Sequence, residues 1–336
     1  MRGGNILHMQ IKISDLRKYI ESILLSSGFL AGEAKAIADV LIYAETAGKK
    51  TQGILKLLGN EPLQMQKYRK KLRVEKETTL SVFINGGRNP AMLVGKVAMQ
   101  RAIAKCAAHG IGIAGANNTY ASTGALGYYV NEIARKGFIG VVLSGTPKGV
   151  ALYGSRDKRV GINPIAFGFP TEQEPVIIDM ATAAMTWYGL VQAKMTGTPL
   201  EADVALDEEG RPATIAERAM KGALLTFGNN RKMSGISMAI EMLTGPLMGA
   251  MAPQKDGTLY NGNFFLVIDP ALFIGRKQFK RHASELLKRL KTSRPARGFT
   301  KFLLPGEKAQ QKRKKAEESG FVSIEQEVYE AFLKLL

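Results

Sequence analysis

Strand and helix patterns alternate through the middle of the chain, and this alternation constrains the fold more than any other feature. An apolar run at Ile111–Ala116 precedes a helical pattern at Gly124–Lys136, and a second apolar run follows at Ile139–Ser144. Short apolar runs between turn residues are typical of buried strands. Strands that alternate with helices predict an α/β fold.

The stretch Arg159–Ala183 predicts a β-hairpin. Its two apolar runs, Ile165–Phe169 and Val176–Ile178, flank a Pro-Thr-Glu-Gln-Glu-Pro reversal, and Asp179 with small residues after it ends the second run. Small residues let a ligand approach the backbone closely, and a carboxylate there can orient a hydroxyl or an amide group. An ordinary buried strand that ends in a structural Asp is the alternative.

The N-terminal part of the chain is predicted to be helical. One helix begins at Ser14 and ends at Gly28, and a second covers Glu33–Ala47 with an apolar face. The polar stretch Gly48–Lys56 follows, as either a loop of a binding site or a connection between helices. A longer helix is predicted at Pro90–His109.

The segment Gly110–Gly115 matches the G-x-G-x-x-G pattern of dinucleotide-binding proteins, but its surroundings do not fit. That pattern requires a strand before it and a helix after it, so that the helix N-terminus meets the pyrophosphate. Here a helix precedes the pattern, and Ile111–Ala116 is itself the predicted strand. We therefore reject this match.

Composition and charge exclude several classes of protein. No apolar run reaches the roughly 18–20 residues that a membrane-spanning helix needs, so we expect no membrane partner. Cys106 is the only cysteine, which excludes an internal disulfide framework and favours a cytoplasmic location. No metal site is predicted.

The net charge of +18 is concentrated near the C-terminus. Between Arg276 and Lys315 there are fifteen Lys and Arg residues against Glu285 and Glu307, a net of +13. Few aromatic residues are interleaved with these charges, which favours a solvated basic face over a nucleic-acid groove. Nucleic acid is therefore an unlikely partner, and attraction of an anionic substrate or cofactor is a second use of the same charge.

Eight segments, taken together and in this order, resemble one known family. They are Ile13–Gly28, Ala38–Lys56, Ala98–Gly112, Gly161–Pro170, Ile177–Ala183, Ala205–Thr214, Lys232–Ala250 and Leu303–Lys308. In them the chain is similar to the malate/L-lactate dehydrogenase-like family of NAD(P)-dependent oxidoreductases. That family includes ureidoglycolate dehydrogenase, diketogulonate reductase and cyclic ketimine reductases.

The resemblance implies the family's own α/β fold, which is not the doubly wound dinucleotide fold, with a helical N-terminal lobe. It also implies a homodimer with clefts for cofactor and substrate that include the dimer interface. We divide the chain into the N-terminal lobe (residues 11–75), an α/β region that binds cofactor and substrate (residues 76–270), and a basic helical segment (residues 271–336) that packs back on the lobe.

The resemblance also implies a site for NADPH or NADH. The positions that match the family's cofactor-binding residues are Pro175, Val176, Ile177, Ile178, Asp179, Met180, Ala181, Arg231, Lys232, Gly306, Glu307 and Lys308. A lysine that opens a helix and free backbone N–H groups suit phosphate, which agrees with this assignment. For Lys232, a solvated lysine in the first turn of a helix is the alternative.

The chain departs from the family at its proton-donating residues. The family's Ser-His-Gly-x-x-Arg motif appears as residues 51–56, with Gln52 at the histidine and Lys56 at the arginine. Ser122 lies at or near the position of a second histidine. The three histidines of the chain, His8, His109 and His282, fall at neither place. Met233 replaces the usual glycine after the site lysine.

These departures bear on the chemistry, and the catalytic candidates are Gln52, Lys56 and Ser122. Hydride reduction of a ketone leaves an alkoxide that needs an acid, and glutamine cannot ionise near neutral pH. Lys56 could be that acid or could bind a substrate carboxylate, and Tyr120 acting through water is a weaker candidate.

The sequence therefore predicts an NAD(P)H-dependent oxidoreductase that transfers hydride to a small anionic substrate. The substrate is either a 2-oxo acid or a cyclic or N-substituted imine carboxylate, because a protonated imine accepts hydride without an acid. A catalytically inactive family member that acts as a cofactor-binding or regulatory protein is the alternative.

Overall fold

The computed structural model describes residues 7–59, 63, 69–250 and 261–336. Its strands are β1 (His8–Lys12), β2 (Arg73–Glu77), β3 (Ser81–Pro90), β4 (Ile111–Tyr120), β5 (Ile139–Ser144), β6 (Val150–Ala151), β7 (Ile165–Phe169), β8 (Val176–Met180), β9 (Ala205–Leu206), β10 (Ala223–Leu225), β11 (Asn261–Ile268) and β12 (Phe321–Glu325). Its α-helices are α1 (Ile13–Ser26), α2 (Ala31–Thr46), α3 (Leu55–Leu58), α4 (Ala91–His109), α5 (Leu126–Arg135), α6 (Trp187–Thr196), α7 (Ala216–Lys221), α8 (Arg231–Thr244), α9 (Arg276–Lys291), α10 (Glu307–Ser319) and α11 (Gln326–Leu333). Short 3-10 helices lie at Lys50–Gln52 and Pro270–Leu272.

A seven-stranded sheet in the order β2-β3-β4-β11-β5-β7-β8 forms the centre of the molecule. Strands β3 and β4 are parallel, with α4 between them in the chain, and every other neighbouring pair in this sheet is antiparallel. A doubly wound fold has a mostly parallel sheet, so this architecture differs from it. The prediction of an α/β fold outside the doubly wound class is confirmed.

Helices α4 and α5 pack on the central sheet and bury the main core. The ring of Tyr129 on α5 lies 5.6 Å from that of Phe265 on β11, and both side chains are fully buried. Helices α1 and α2 extend this core, to which α1 contributes the buried side chains of Leu16 and Ile20. Each such side chain stabilises the fold by about 1.5–3 kcal/mol.

Several predicted boundaries shift by a few residues. Strand β4 continues beyond Ala116, the predicted end of the strand, as far as Tyr120, because an irregularity in β3 lets the two strands keep pairing. Strand β8 extends to Met180, so Asp179 lies inside the strand, opposite Ala166. Helix α8 begins at Arg231, because the Asn230 side chain caps it by accepting the Met233 N–H.

The two ends of the described chain meet. Strand β1 pairs with β12 in an antiparallel two-stranded sheet, α10 packs on α2, and α11 packs on α3. A second, smaller core lies around β6, β9 and β10 with α6 and α7. The division into three domains remains a prediction. Within the ranges described, no helix is both long and apolar enough to cross a membrane.

Candidate active site

A cleft of about 480 Å³ lies between strand β8 and the start of helix α10, next to the end of α2. Seven of the predicted cofactor-binding residues line it, namely Pro175, Ile177, Ile178, Asp179, Met180, Gly306 and Lys308. Two segments that are far apart in the sequence are therefore brought together in one cleft.

Gly306 allows α10 to start directly against strand β8. Its φ is +82°, and a Cβ added there would overlap the carbonyl oxygen of Ile177, so a side chain fits neither the conformation nor the space. The Glu307 carboxylate accepts the Leu304 N–H at 3.1 Å and pairs with Lys291. The hydrogen bond from the Leu304 backbone contributes most, and together with Lys291 it holds the pKa of Glu307 below its ordinary value. Glu307 thus fixes the turn and does not line the cleft.

Asp179 joins three elements at the floor of the cleft. Its side chain is 8% exposed, and its Oδ2 lies 2.5 Å from the Nζ of Lys49. The same oxygen accepts the N–H of Gly127, in the first turn of α5, at 2.9 Å. Lys49 also donates to the main-chain oxygen of Asp179 at 2.9 Å. The carboxylate therefore ties β8 to α5 and to the Gly48–Lys56 stretch.

The cleft carries more positive than negative charge. The lining of the cleft contains the acidic residue Asp179 and four basic residues, Lys49, Lys308, Lys312 and Arg313. In the part of the chain that the structure describes, Lys308 and Lys312 have no ion-pair partner, and they lie one turn apart on α10. A cleft lined by one sign of charge attracts ligands of the opposite sign.

Arg313 and Tyr43 form the more buried wall of the cleft. Arg313 donates to the Oδ1 of Asn131 at 2.9 Å, and its guanidinium lies 5.4 Å from the Tyr43 ring centroid. Burial, with a smaller effect of Asp179, raises the pKa of the Tyr43 hydroxyl far above its ordinary value. Tyr43 therefore stays protonated and can donate a hydrogen bond.

Gln52 and Lys56 follow the cleft residue Lys49 but do not line the cleft. Gln52 ends the 3-10 helix and is partly buried, whereas Lys56 is only 5% exposed. The Nζ of Lys56 lies 3.9 Å from the ring centroid of Tyr188 on α6. An ammonium group over an aromatic ring is attracted by the negative face of the ring, so this contact holds the Lys56 side chain in place.

Glu45 is a further candidate for the site that the sequence did not indicate. It is buried at the end of α2, and its Oε1 accepts the N–H of Ile54 at 2.7 Å, next to the turn that carries Gln52. Burial raises the pKa of Glu45 to about 7. In the sequence, its burial could have been inferred from its position next to the apolar face of the helix predicted at Glu33–Ala47.

The remaining predicted residues lie elsewhere. Ser122 precedes α5, and its Oγ accepts the Gly124 N–H at 3.0 Å. Arg231 and Lys232 open α8 and are exposed, with the Arg231 guanidinium 5.8 Å from the Tyr153 ring centroid. None of these three, nor Val176 and Ala181 of the hairpin, lines the cleft, so their roles remain predictions. The described segments hold no group of three or more His, Cys, Asp or Glu residues that could bind a metal ion.

Known proteins resemble the chain over almost its full length. The sequence model of the malate/L-lactate dehydrogenase family matches residues 11–333. L-sulfolactate dehydrogenase of Methanocaldococcus jannaschii is 30% identical over 96% of this chain and 94% of its own. The Delta(1)-pyrroline-2-carboxylate/Delta(1)-piperideine-2-carboxylate reductase of Pseudomonas aeruginosa is 27% identical over 80% of this chain and 83% of its own.

The fold agrees with this resemblance. The solved structure of the M. jannaschii sulfolactate dehydrogenase superposes with a TM-score of 0.85 at 29% identity, covering 97% of this chain and 96% of that one. The family match, the sequence relatives and the shared fold cover the same residues. The chain therefore belongs to the malate/L-lactate dehydrogenase family, and the predicted enzyme class, an oxidoreductase, is confirmed.

Proposed function

We propose that this protein is an active reductase that uses NADPH or NADH to transfer hydride to a small anionic substrate. The preferred substrate is a cyclic or N-substituted imine carboxylate, and a 2-oxo acid is the second choice. One observation carries the proposal: a cleft built from the predicted cofactor residues lies beside a turn in which Gln52 replaces the expected acid.

The residues of the cleft fit a nicotinamide cofactor. The volume of the cleft, about 480 Å³, is within the usual range of ligand sites, roughly 300–1,000 Å³. The amino groups of Lys308 and Lys312 suit phosphate, and Gly306 lets the start of α10 lie against β8, which forms the cleft between them. The bound reduced cofactor would supply the hydride. The excess of positive charge favours NADPH, which carries one phosphate more than NADH.

The proton requirement favours an imine. When hydride adds to a ketone, the oxygen becomes an alkoxide and must take a proton from an acid. When hydride adds to a protonated imine, the nitrogen already holds its proton and a neutral amine results. Gln52 can donate and accept hydrogen bonds but cannot release a proton near neutral pH. It therefore suits the second reaction.

Lys56 is assigned to binding of the substrate carboxylate. Its buried Nζ lies 3.9 Å from the Tyr188 ring centroid, so the amino group is held in place next to the turn that carries Gln52. We expect Lys56→Met to raise KM at least tenfold with a smaller change in kcat, and Lys56→Arg to restore much of the affinity. A loss confined to kcat would instead make Lys56 the proton donor.

A relative supports the choice of substrate class. The P. aeruginosa protein is named as a reductase of two cyclic imine carboxylates, whereas the M. jannaschii protein is named for a hydroxy acid. The same fold is therefore used with both kinds of substrate, and the replacement of the histidine favours the first for this chain.

We also propose a cytoplasmic homodimer without a nucleic-acid or membrane partner. Large apolar side chains on and after α8, including Met238, Met242 and Leu247, are more than half exposed in the single chain. A second copy would bury them and could complete the site near Arg231 and Lys232. Light scattering after gel filtration tests the dimer, since a monomer at micromolar concentration would contradict it.

Oxidation of NADPH and NADH at 340 nm with cyclic imine carboxylates and with 2-oxo acids tests the activity. Turnover with the imines supports the proposal. An inactive, cofactor-binding protein is the second candidate, favoured by the absence of histidine at both Gln52 and Ser122. It would show measurable cofactor binding and no turnover with any of these substrates.

A further inference from the structure

Glu45 is a buried acid that lies against the turn carrying Gln52. Its Oε1 accepts the Ile54 N–H at 2.7 Å. A Cβ added at Gly53 would overlap this same oxygen, so the carboxyl group lies directly against the backbone of the turn. The side chain thus fixes the backbone between Gln52 and Lys56, both of which are candidates for contact with substrate.

Two charged groups face Glu45 from other elements. Lys50 lies on the 3-10 helix and Glu325 at the end of β12, and their side chains pair at 3.2 Å. Glu325 also accepts two hydrogen bonds from the Nε2 of Gln192 on α6. Burial, the largest influence, raises the pKa of Glu45 to about 7, while the Ile54 hydrogen bond and Lys50 lower it and Glu325 raises it. Glu45 can therefore gain and lose its proton under working conditions.

We propose that Glu45 is a positioning residue whose ionisation tightens the turn carrying Gln52 and Lys56, so that substrate capture depends on the protonation of a group that never touches the substrate. This role presupposes the proposed function, because the turn matters only if substrate binds there.

The two protonation states of Glu45 hold the turn differently. The carboxylate accepts the Ile54 N–H in a charge-assisted bond, which is about twice as strong as a neutral one. The neutral acid accepts more weakly and adds an O–H donor that must find an acceptor in a buried place. Because Gly53 contacts the carboxyl group, the turn must adjust to this donor. Small displacements of positioning groups reduce rates by up to about a hundredfold.

The pH profile of kcat/KM between pH 5.5 and 9 tests this role. In the wild-type protein we expect kcat/KM to fall about tenfold as Glu45 becomes protonated. Glu45→Gln should remove this step. Lys50→Met should move the step to higher pH and Glu325→Gln to lower pH, each by roughly half a unit or more.

Opposite shifts in the two charge variants cannot come from a merely structural role, which would change rates without moving the step. A step that persists unchanged in Glu45→Gln, or that moves in the same direction in both charge variants, would overturn the proposal.

Hydrogen exchange separates this proposal from the proposed function. If no substrate is turned over, the proposed function fails, and exchange of the peptide Gly48–Leu58 still reports on the turn. After correction for intrinsic rates, exchange of the Ile54 amide through fluctuations that leave Glu45 buried should slow between pH 6 and pH 8 in the wild-type chain, and it should not change with pH in Glu45→Gln. Equal, pH-independent protection in both proteins would refute the role of Glu45.

Discussion

Replacing Glu45 with Gln should stabilise the fold at alkaline pH and have little effect in acid. Glu45 is buried, with one backbone hydrogen bond from Ile54, and burial raises its pKa from 4.5 to about 7. Gln has nearly the same shape and its amide oxygen can still accept the Ile54 N–H. The substitution therefore removes the charge and keeps the packing.

The size of the effect follows from proton linkage. The folded state holds the Glu45 proton more tightly than the unfolded chain does, so ionisation destabilises the fold as a whole as pH rises, although it strengthens the single hydrogen bond from Ile54. This destabilisation is absent below about pH 4.5, and it is complete above about pH 7, where it reaches roughly 3 kcal/mol. Between pH 5.5 and pH 8.5 the free energy of unfolding of Glu45→Gln should therefore rise, relative to wild type, by about 2 kcal/mol.

Urea unfolding at several pH values measures this difference, followed by the fluorescence of Trp187, the only tryptophan. The change with pH is the informative quantity, because any unpaired amide hydrogen of the introduced glutamine adds an offset that does not depend on pH. Glu201→Gln is the matched control at an exposed loop position and should differ from wild type by less than about 0.5 kcal/mol at every pH. A difference between Glu45→Gln and wild type that stays constant across the range would refute the reasoning.

Three further substitutions test the site. Gly306→Ala should raise the Kd of the cofactor at least tenfold, measured by fluorescence titration, whereas Gly320→Ala, with a positive φ but open space at the other end of α10, should leave it unchanged. Lys308→Ala should weaken NADPH binding about tenfold, while Lys315→Ala, outside the cleft on the same helix, should not; equal losses would remove Lys308 from the site. With pyruvate as the substrate, Gln52→His should increase kcat/KM at least tenfold, since a general acid contributes about 10²–10⁴, and an unchanged value would show that Gln52 is far from the reacting atoms.

Local patterns were sufficient for the central elements of the fold. The strand Ile139–Ser144 occurs with the predicted bounds, and the hairpin of Arg159–Ala183 forms strands β7 and β8. These elements combine a strong apolar pattern with turn residues close in sequence, so their pairing needs little information from elsewhere. The long helix α4 was predictable for the same reason.

Elements that depend on distant pairing could not be predicted. Strand β1 is mostly exposed, and it is extended because it pairs with β12, which lies near the other end of the chain. Strands β6 and β9 have two residues each, too few to show any period. For such segments tertiary contacts decide the conformation, and intrinsic preference does not.

The same limit applies to the site. The resemblance pointed to Asp179 and Gly306. It did not indicate the ion pair between Asp179 and Lys49, because the two residues are 130 positions apart in the chain. Tyr188, which holds the Nζ of Lys56, gives no signal in the sequence beyond an aromatic residue in a helix. The raised pKa of Glu45 arises from burial, which sequence periodicity only suggests.

The dependence of cofactor oxidation on amine concentration tests the central claim most directly. Purified protein would be mixed with NADPH, pyruvate and increasing methylamine at pH 8, and the absorbance at 340 nm would be followed. The account predicts little oxidation without amine and a rate that rises with methylamine, because the imine is the species that accepts hydride without an acid. A rate that is the same with and without amine, at saturating pyruvate, would contradict it and would mean that another group protonates the ketone.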